Sequence, residues 1–473
     1  MNIPYFKCDN EQINTAYRLA IANLCANILP FQDGILEKEE PVIIAGLGYV
    51  TPWTRDAAIN TWNAGGMICP EVSLNTLKSV LERTENGYKI GGEYWDAIIW
   101  TTGAWYQYLY TGDKEFLKMA YNATVNSLAY FEETEFDAEK NLFRGAACYG
   151  DGVAAYPDIY ASHGQSGIIS FADMKEYCHE KGVGIPMMAL STNCLYYNAY
   201  VIADKMAEEL GEIKKYEAKA KAMYDAINHH FWSEEKGNYL YLVDEFGGCD
   251  HEEGLGCAFA ILFGVADEEK TKKILQNQYI TARGIPCVWP TFDRYLTEDG
   301  MGFGRHSGTV WPHVQGFWAD AAAKSGNVAV FDKELQAQTE NAVNGYQFAE
   351  IYHPITGEIY GGRQERGNGI VDWRSEAYQT WSATAYLRNI YLDLVGMNFS
   401  TDGICFAPVN ADLVTNINLT NFKYRNSVLN ISISRVKGKG SFLLDGVESH
   451  PFISKELVGT HKIEIKIGDD IYG

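Results

Sequence analysis

The chain has 473 residues, with 39 basic against 61 acidic side chains and a formal net charge of −22. That length suits one large domain with a smaller one, and the charge argues against nucleic acid or an anionic membrane as partner. No run approaches 18 apolar residues, and MNIPYFKCDNEQ shows neither region of a signal peptide, so the expected compartment is the cytoplasm.

In chain order, Ile13, Tyr17, Ala20, Leu24 and Ile28 keep spacings of three and four and predict a helix over 10–28. The same pattern predicts helices over 55–65, 71–86, 95–111, 114–134, 188–210, 213–231, 255–265, 268–279, 313–325, 329–345 and 375–395. Tight turns, such as TGD at 111–113 and Leu210–Gly211, alternate with long connections at 29–54, 135–187, 280–312 and 346–374. Twelve helices in pairs predict a mainly α fold, an (α/α)6 toroid of six hairpins, with the long loops around a concave mouth. Loops of that length in a compact domain are usually functional. After Gly396 the period changes. Leu429, Ile431 and Ile433 alternate with Asn430, Ser432 and Ser434, and Ile463, Ile465 and Ile467 with Glu464 and Lys466. Period two predicts a small antiparallel β domain. The expected division is 1–396 and 397–473.

The ten cysteines show no CxxC or zinc-type spacing and read as small buried hydrophobes. No P-loop, GxGxxG, GxSxG or HExxH is present, so neither a metal nor a cofactor is expected.

The long loops set carboxylates beside aromatics. YVTPWTRDAAINTW places Trp53, Arg55 and Asp56 at a helix entry. An indole face beside a guanidinium and a carboxylate matches a sugar ring, but a helix N-terminus with a surface ion pair explains the same residues. Asp151 follows Tyr149 between two glycines, which let backbone approach a ligand, although an Asp–Gly turn is the simpler account. Glu350 precedes Tyr352, His353 and Pro354, with Glu358 and Glu376 as nearby competitors. Asp96, after Trp95, reads as a sugar contact or a helix-start charge. RHSGTVWPH holds His306, Trp311 and His313, and with Arg305 it offers either structural histidines or a phosphate site. Glycoside hydrolysis requires two carboxyl groups, one protonated and one ionised.

PWTRDAAIN resembles the WTRDSAL segment of glucoamylases, whose Arg–Asp pair holds hydroxyls of the terminal glucose. FAEIYHPITGE is similar to the ENYDP-ITGE and EKYD segments of family 63 α-glucosidases and trehalases, where the first Glu is the base that activates water. HSGTVWPH, YQTWSATAYL and STNCLYYNAYVIADKM resemble further helix segments of those enzymes, and the tail resembles the β-sandwich cap behind rhamnosidase and disaccharide-phosphorylase barrels. The matches run in order along most of the chain.

The resemblance implies an exo-acting glycosidase of the six-hairpin superfamily. It would act with inversion on a terminal, α-linked, glucose-like sugar of an oligosaccharide or glycoside. Glu350 would be the base and Asp151 the acid. Trp53, Arg55, Asp56, Trp95, Asp96, Tyr149, His306 and Trp311 would surround the substrate. Two departures stand out. The family acid normally lies in an SG-x-D segment, matched here only by CYGDG, and His353 replaces a carboxylate. A glycoside phosphorylase with an anion pocket at Arg305–His306, and a non-catalytic glycan-binding protein, remain as other readings. The oligomeric state leaves no sequence signal.

Overall fold

A computed structural model describes residues 3–92, 95–161, 166–168 and 185–468. Much of the expected 135–187 connection therefore lies outside the described residues. Twelve principal helices occur: α1 Glu11–Ala26, α2 Thr54–Asn60, α3 Pro70–Lys78, α4 Trp100–Thr111, α5 Lys114–Thr134, α6 Leu190–Leu210, α7 Glu217–His230, α8 Gly254–Leu262, α9 Glu268–Asn277, α10 Pro312–Lys324, α11 Val328–Gly345 and α12 Thr380–Arg388. The even-numbered helices form a closed inner ring: each packs on the next, and α12 returns to α2. The odd-numbered helices alternate with them around the outside. The two sets differ in burial. Every residue of α2 is buried, whereas α9 buries only Ile274. This is an (α/α)6 toroid. No described helix is long and apolar enough to cross a membrane.

Local chemistry sets the ends of the helices. Asn10 and Asp113 cap α1 and α5 by accepting from backbone N–H groups of the first turn. Gly112 and Gly211 close α4 and α6 in the left-handed conformation, which makes both tight turns. Two expected helices are shorter than their apolar pattern. The helix expected over 71–86 stops at Lys78, and Leu81–Thr84 then pairs with Gly87–Ile90 across a Glu85–Asn86 turn. Gly87 has φ +113°, a value glycine tolerates and the hairpin requires. The helix expected from 375 starts at Thr380. Tyr378 takes φ +49°, and the backbone of 376–380 bonds instead to Glu350, Phe348 and Ala45.

Beyond α12 a π-helical turn, Asn389–Leu394, leads into the sheets. One sheet has six strands in the order Tyr5–Cys8, Asn416–Tyr424, Ser427–Arg435, Gly459–Ile467, Ser441–Leu444 and Val447–Glu448. The other has three: Met397–Phe399, Gly403–Phe406 and Phe452–Ser454. They share a core in which Phe406 and Phe442 lie 5.6 Å apart. Pairing is antiparallel except between Ser427–Arg435 and Gly459–Ile467, which run parallel. The edge strand Tyr5–Cys8 comes from the start of the chain. The sheets pack against α1 and α12 through Tyr17, whose hydroxyl meets that of Tyr391 at 2.8 Å.

Candidate active site

One cavity of about 720 Å³ opens at the N-terminal ends of the inner helices. Nine of the ten expected site residues line it: Trp53, Arg55, Asp56, Asp96, Tyr149, Asp151, His306, Trp311 and Glu350. Trp95 does not. Its ring packs in an apolar cluster with Ala146, Tyr156 and Met187, and its indole N–H donates to the Ala147 carbonyl. Gly145, with φ +145°, leaves room for that side chain, since a Cβ there would stand 2.7 Å from the Trp95 Cβ and 2.9 Å from the ring.

The entry to α2 differs from a plain cap. Trp53 precedes the helix with φ +46° and supplies no capping bond, and its ring stays 36 % exposed. A non-glycine residue in that region is strained, and such strain clusters at functional sites. Arg55 and Asp56 do not pair with each other. Arg55 donates to Asp96 at 2.7 Å, both nearly buried, and Asp96 also accepts from the Tyr149 amide. Asp56 is buried, and its Oδ1 has no protein partner. Burial pushes its pKa up to about 8: Arg55 opposes the rise, while Glu350 and Asp151 add to it. It therefore holds a proton at neutral pH.

Asp151 follows a turn made by Tyr149 at φ +75°. The flanking glycines serve the protein, not a ligand. A Cβ on Gly152 would stand 2.8 Å from the His306 ring, and one on Gly150 would strike the Tyr156 hydroxyl. The Asp151 side chain stays 39 % exposed where it lines the cavity, yet it sits deep among protein atoms. That burial raises its pKa, with Arg55 and Arg305 opposing and Asp96 and Glu350 assisting. His306 Nε2 lies 3.5 Å from its Oδ1. Burial, then Arg305, Arg55 and His313, hold the imidazole of His306 well below its usual pKa, so it is neutral. It stacks on Trp311 at 5.0 Å.

Glu350 has the opposite surroundings. Its Oε2 accepts from Arg305 at 2.6 Å and from the Glu376 amide at 3.1 Å, and its Oε1 from the Tyr49 hydroxyl at 3.3 Å. Three donors on a buried carboxylate are partners for the ionised form. The competing carboxylates fall away. Glu376 turns to Arg374, Glu358 is bound within its own turn, and neither lines the cavity. His353 is likewise structural. Its Nδ1 accepts from the Ile355 and Thr356 amides and its Nε2 donates to the Met301 carbonyl, so it stands in for no catalytic carboxylate.

The expected anion pocket at Arg305–His306 does not form. Arg305 spends one nitrogen on the Gly361 and Arg374 carbonyls and another on Glu350, and His306 carries no charge. Sequence reasoning missed Tyr49, Gln379 and Trp381, all of which line the cavity. Gln379 Oε1 and Trp381 Nε1, like Asp56 Oδ1, are buried without a partner. Buried polar atoms are seldom left so, and these three belong to residues that line the same cavity. Among the described residues no group of three or more His, Cys, Asp or Glu side chains is arranged to hold a metal ion.

Comparison with known proteins follows this geometry. Residues 96–382 match the family model described as the mannosylglycerate hydrolase MGH1-like glycoside hydrolase domain. No curated protein matches the chain by sequence. Among solved structures, a GH63 mannosylglycerate hydrolase from Thermus thermophilus in complex with glucose is similar with TM-score 0.59 and 15 % identity, covering 79 % of this chain and 99 % of that one. The same hydrolase has been seen with Tris and D-glycerate. A sialidase gives TM-score 0.65 at 16 % identity over 90 % of this chain, and a GH78 family rhamnosidase of a Bacillus species gives 0.60 at 14 % over 99 %. The chain spans 38 % of the sialidase and 44 % of the rhamnosidase. At these identities the likeness is one of fold.

Proposed function

The chain belongs to the MGH1-like glycoside hydrolase family, and on that premise we propose that it is an exo-acting glycoside hydrolase that removes a terminal sugar with inversion. Asp151 is the general acid. Burial raises its pKa and so favours the protonated form, whose proton passes to the glycosidic oxygen as the bond from that oxygen to the anomeric carbon breaks. Glu350 is the general base. It takes a proton from a water whose oxygen bonds to the anomeric carbon from the opposite face. Arg305, Tyr49 and the Glu376 amide fix its orientation.

The terminal ring lies at the closed end. There Asp56, Gln379 and Trp381 offer unpartnered polar atoms, and Trp311 and Trp53 offer indole faces. The Arg55–Asp96 pair fixes the wall behind Tyr149. The ring is read as α-linked and glucose-like because PWTRDAAIN resembles the glucoamylase clamp, and the Thermus hydrolase of like fold was solved with glucose.

The observation that carries this reading is a single cavity that brings together Asp151, whose pKa burial raises, and a guanidinium-held Glu350 beside polar atoms without partners. The same geometry favours water over phosphate, since Arg305 is already engaged by Glu350. The test is a panel of α- and β-linked disaccharides and glycosides with the first-formed anomer followed by NMR. An α-glycoside is expected to release the β-anomer first. Release with retained configuration, a requirement for phosphate, or no release from any member would overturn the reading.

A further inference from the structure

The cavity is larger than its closed end needs. Its volume lies in the range that takes a drug-sized ligand rather than one ring. From the buried wall at Glu350, Gln379 and Trp381 it continues past Trp53 to Phe31, Asp33, Gly34 and Glu82. This second end is built by two hairpins, Ile28–Phe31 with Glu40–Ile43 and Leu81–Thr84 with Gly87–Ile90. Asp33, Gly34 and Glu82 are exposed. An exo-acting enzyme holds the terminal ring at the closed end and the rest of the substrate toward the exposed one.

The charge along this path is one-sided. Among the described residues the lining carries six carboxyl groups, of which Asp56 holds a proton, and two guanidiniums. Both guanidiniums are engaged by carboxylates of the same lining, Arg55 by Asp96 and Arg305 by Glu350. Glu82 has a partner in Lys89, which does not line the cavity, and among the described residues the Asp33 carboxylate accepts from the neighbouring Gly34 amide and pairs with no cation. A cleft lined by one sign of charge concentrates the opposite sign and repels its own. At the closed end, the buried unpartnered Asp56 Oδ1 marks a site awaiting a ligand and not merely an acidic surface.

We propose that the end of the cavity at Asp33 and Glu82 is the leaving-group subsite, and that it selects uncharged or amine-bearing polyols and sugars against carboxylate-bearing ones. The inference rests on the glycosidase reading above and adds the class of leaving group. It sets this chain apart from the Thermus hydrolase, whose printed name and D-glycerate complex concern an acidic leaving group.

The test uses the full chain and three leaving groups, glycerol, glycerate and ethanolamine, each as its α-glucoside and α-mannoside. The glycerol and ethanolamine glycosides are expected to exceed the glycerate glycoside in kcat/KM. A unit charge about 6 Å away in near-aqueous surroundings changes the handling of a charged group by about threefold. Asp33→Asn and Glu82→Gln should therefore each raise the glycerate-to-glycerol ratio about threefold at low salt, and Asp33→Lys should raise it further. Because the readout is a ratio within one variant, partial misfolding cancels. A wild-type preference for glycerate, or ratios indifferent to all three substitutions, would overturn the inference. If no glycoside of either sugar were cleaved, the glycosidase reading would fail instead. Quenching of tryptophan fluorescence by glycerol and glycerate glycosides would then still decide the charge preference, tighter binding of glycerate counting against it.

Discussion

Two regions along the same inner helices bury carboxylates beside arginines, and the outcomes are opposite. At the N-terminal ends of these helices, burial leaves Asp56 and Asp151 with raised pKa values. Further along, Asp320 on α10 meets Arg388 on α12 and Lys324, with Nε of Arg388 at 2.9 Å and Lys324 at 3.1 Å. Burial raises the Asp320 pKa too, but Arg388 and then Lys324 outweigh it and hold the group well below the usual range. Arg388 also donates to Asn63 and lies 4.4 Å from the Trp62 ring centroid. Asp320 is buried with cations of its own, at the expense of neighbouring Asp393, whose pKa burial and Asp320 push up. A carboxylate buried for chemistry shares cations with its neighbours and ends up short of them. Glu253, buried at the start of α8 outside the cavity lining, is raised to about 8 by burial, against which only hydrogen bonds from Ser191 act.

The contrast can be broken residue by residue. The largest effect falls on Glu350→Gln, which should lower kcat by about 10²–10⁴-fold while shifting the melting temperature far less than any change at Arg388. Arg388→Met should cost about 3–5 kcal/mol in a urea titration, because Asp320 loses its main counter-charge while buried. If the two variants proved equally destabilising, the division between the regions would fail. Asp151→Asn should lose about 10²-fold with sugar or alkyl leaving groups and recover most of it with an activated aryl glycoside, which needs no protonation.

Glu253→Gln sharpens the comparison through pH. Glu253 keeps its proton in the folded chain up to about pH 8, while the unfolded chain loses it near the ordinary Glu value of about 4.3. Between those values the unfolded state binds fewer protons, so folding stability falls as pH rises, by roughly 1 kcal/mol per unit at most. The Gln variant lacks this slope. Its advantage in chemical denaturation should be absent near pH 4 and grow toward pH 8. The smallest effect is Tyr49→Phe, which removes one hydrogen bond from Glu350 and should slow turnover by the equivalent of about 1 kcal/mol.

The helical periodicity made the ring legible, because inner and outer helices alike must bury a stripe. It misled where apolar spacing and turn chemistry disagreed. Leu74, Leu77 and Leu81 continue a helical face past Lys78, but the chain turns at Glu85–Asn86 into a hairpin whose return starts at Gly87. In the site, Glu350 and the Trp53–Asp56 group were readable because they sit in short segments that keep their order. Trp95 was misread because adjacency to Asp96 along the chain says nothing about which way each side chain turns. Tyr49 carried no signal: an aromatic before a helix is common, and its role depends on Glu350, 301 residues away. The edge strand Tyr5–Cys8 is too short to show a period, and its partner lies at the other end of the chain.

That strand has a consequence in time. Asp9, just after it, bonds to the backbone of Thr415 across 406 residues of sequence. At a synthesis rate of about 5–20 residues per second, Tyr5–Cys8 waits roughly 20–80 s before Asn416–Tyr424 leaves the ribosome. Through that interval the nascent toroid carries an unclosed seam, and whatever shields it sets the yield of finished enzyme.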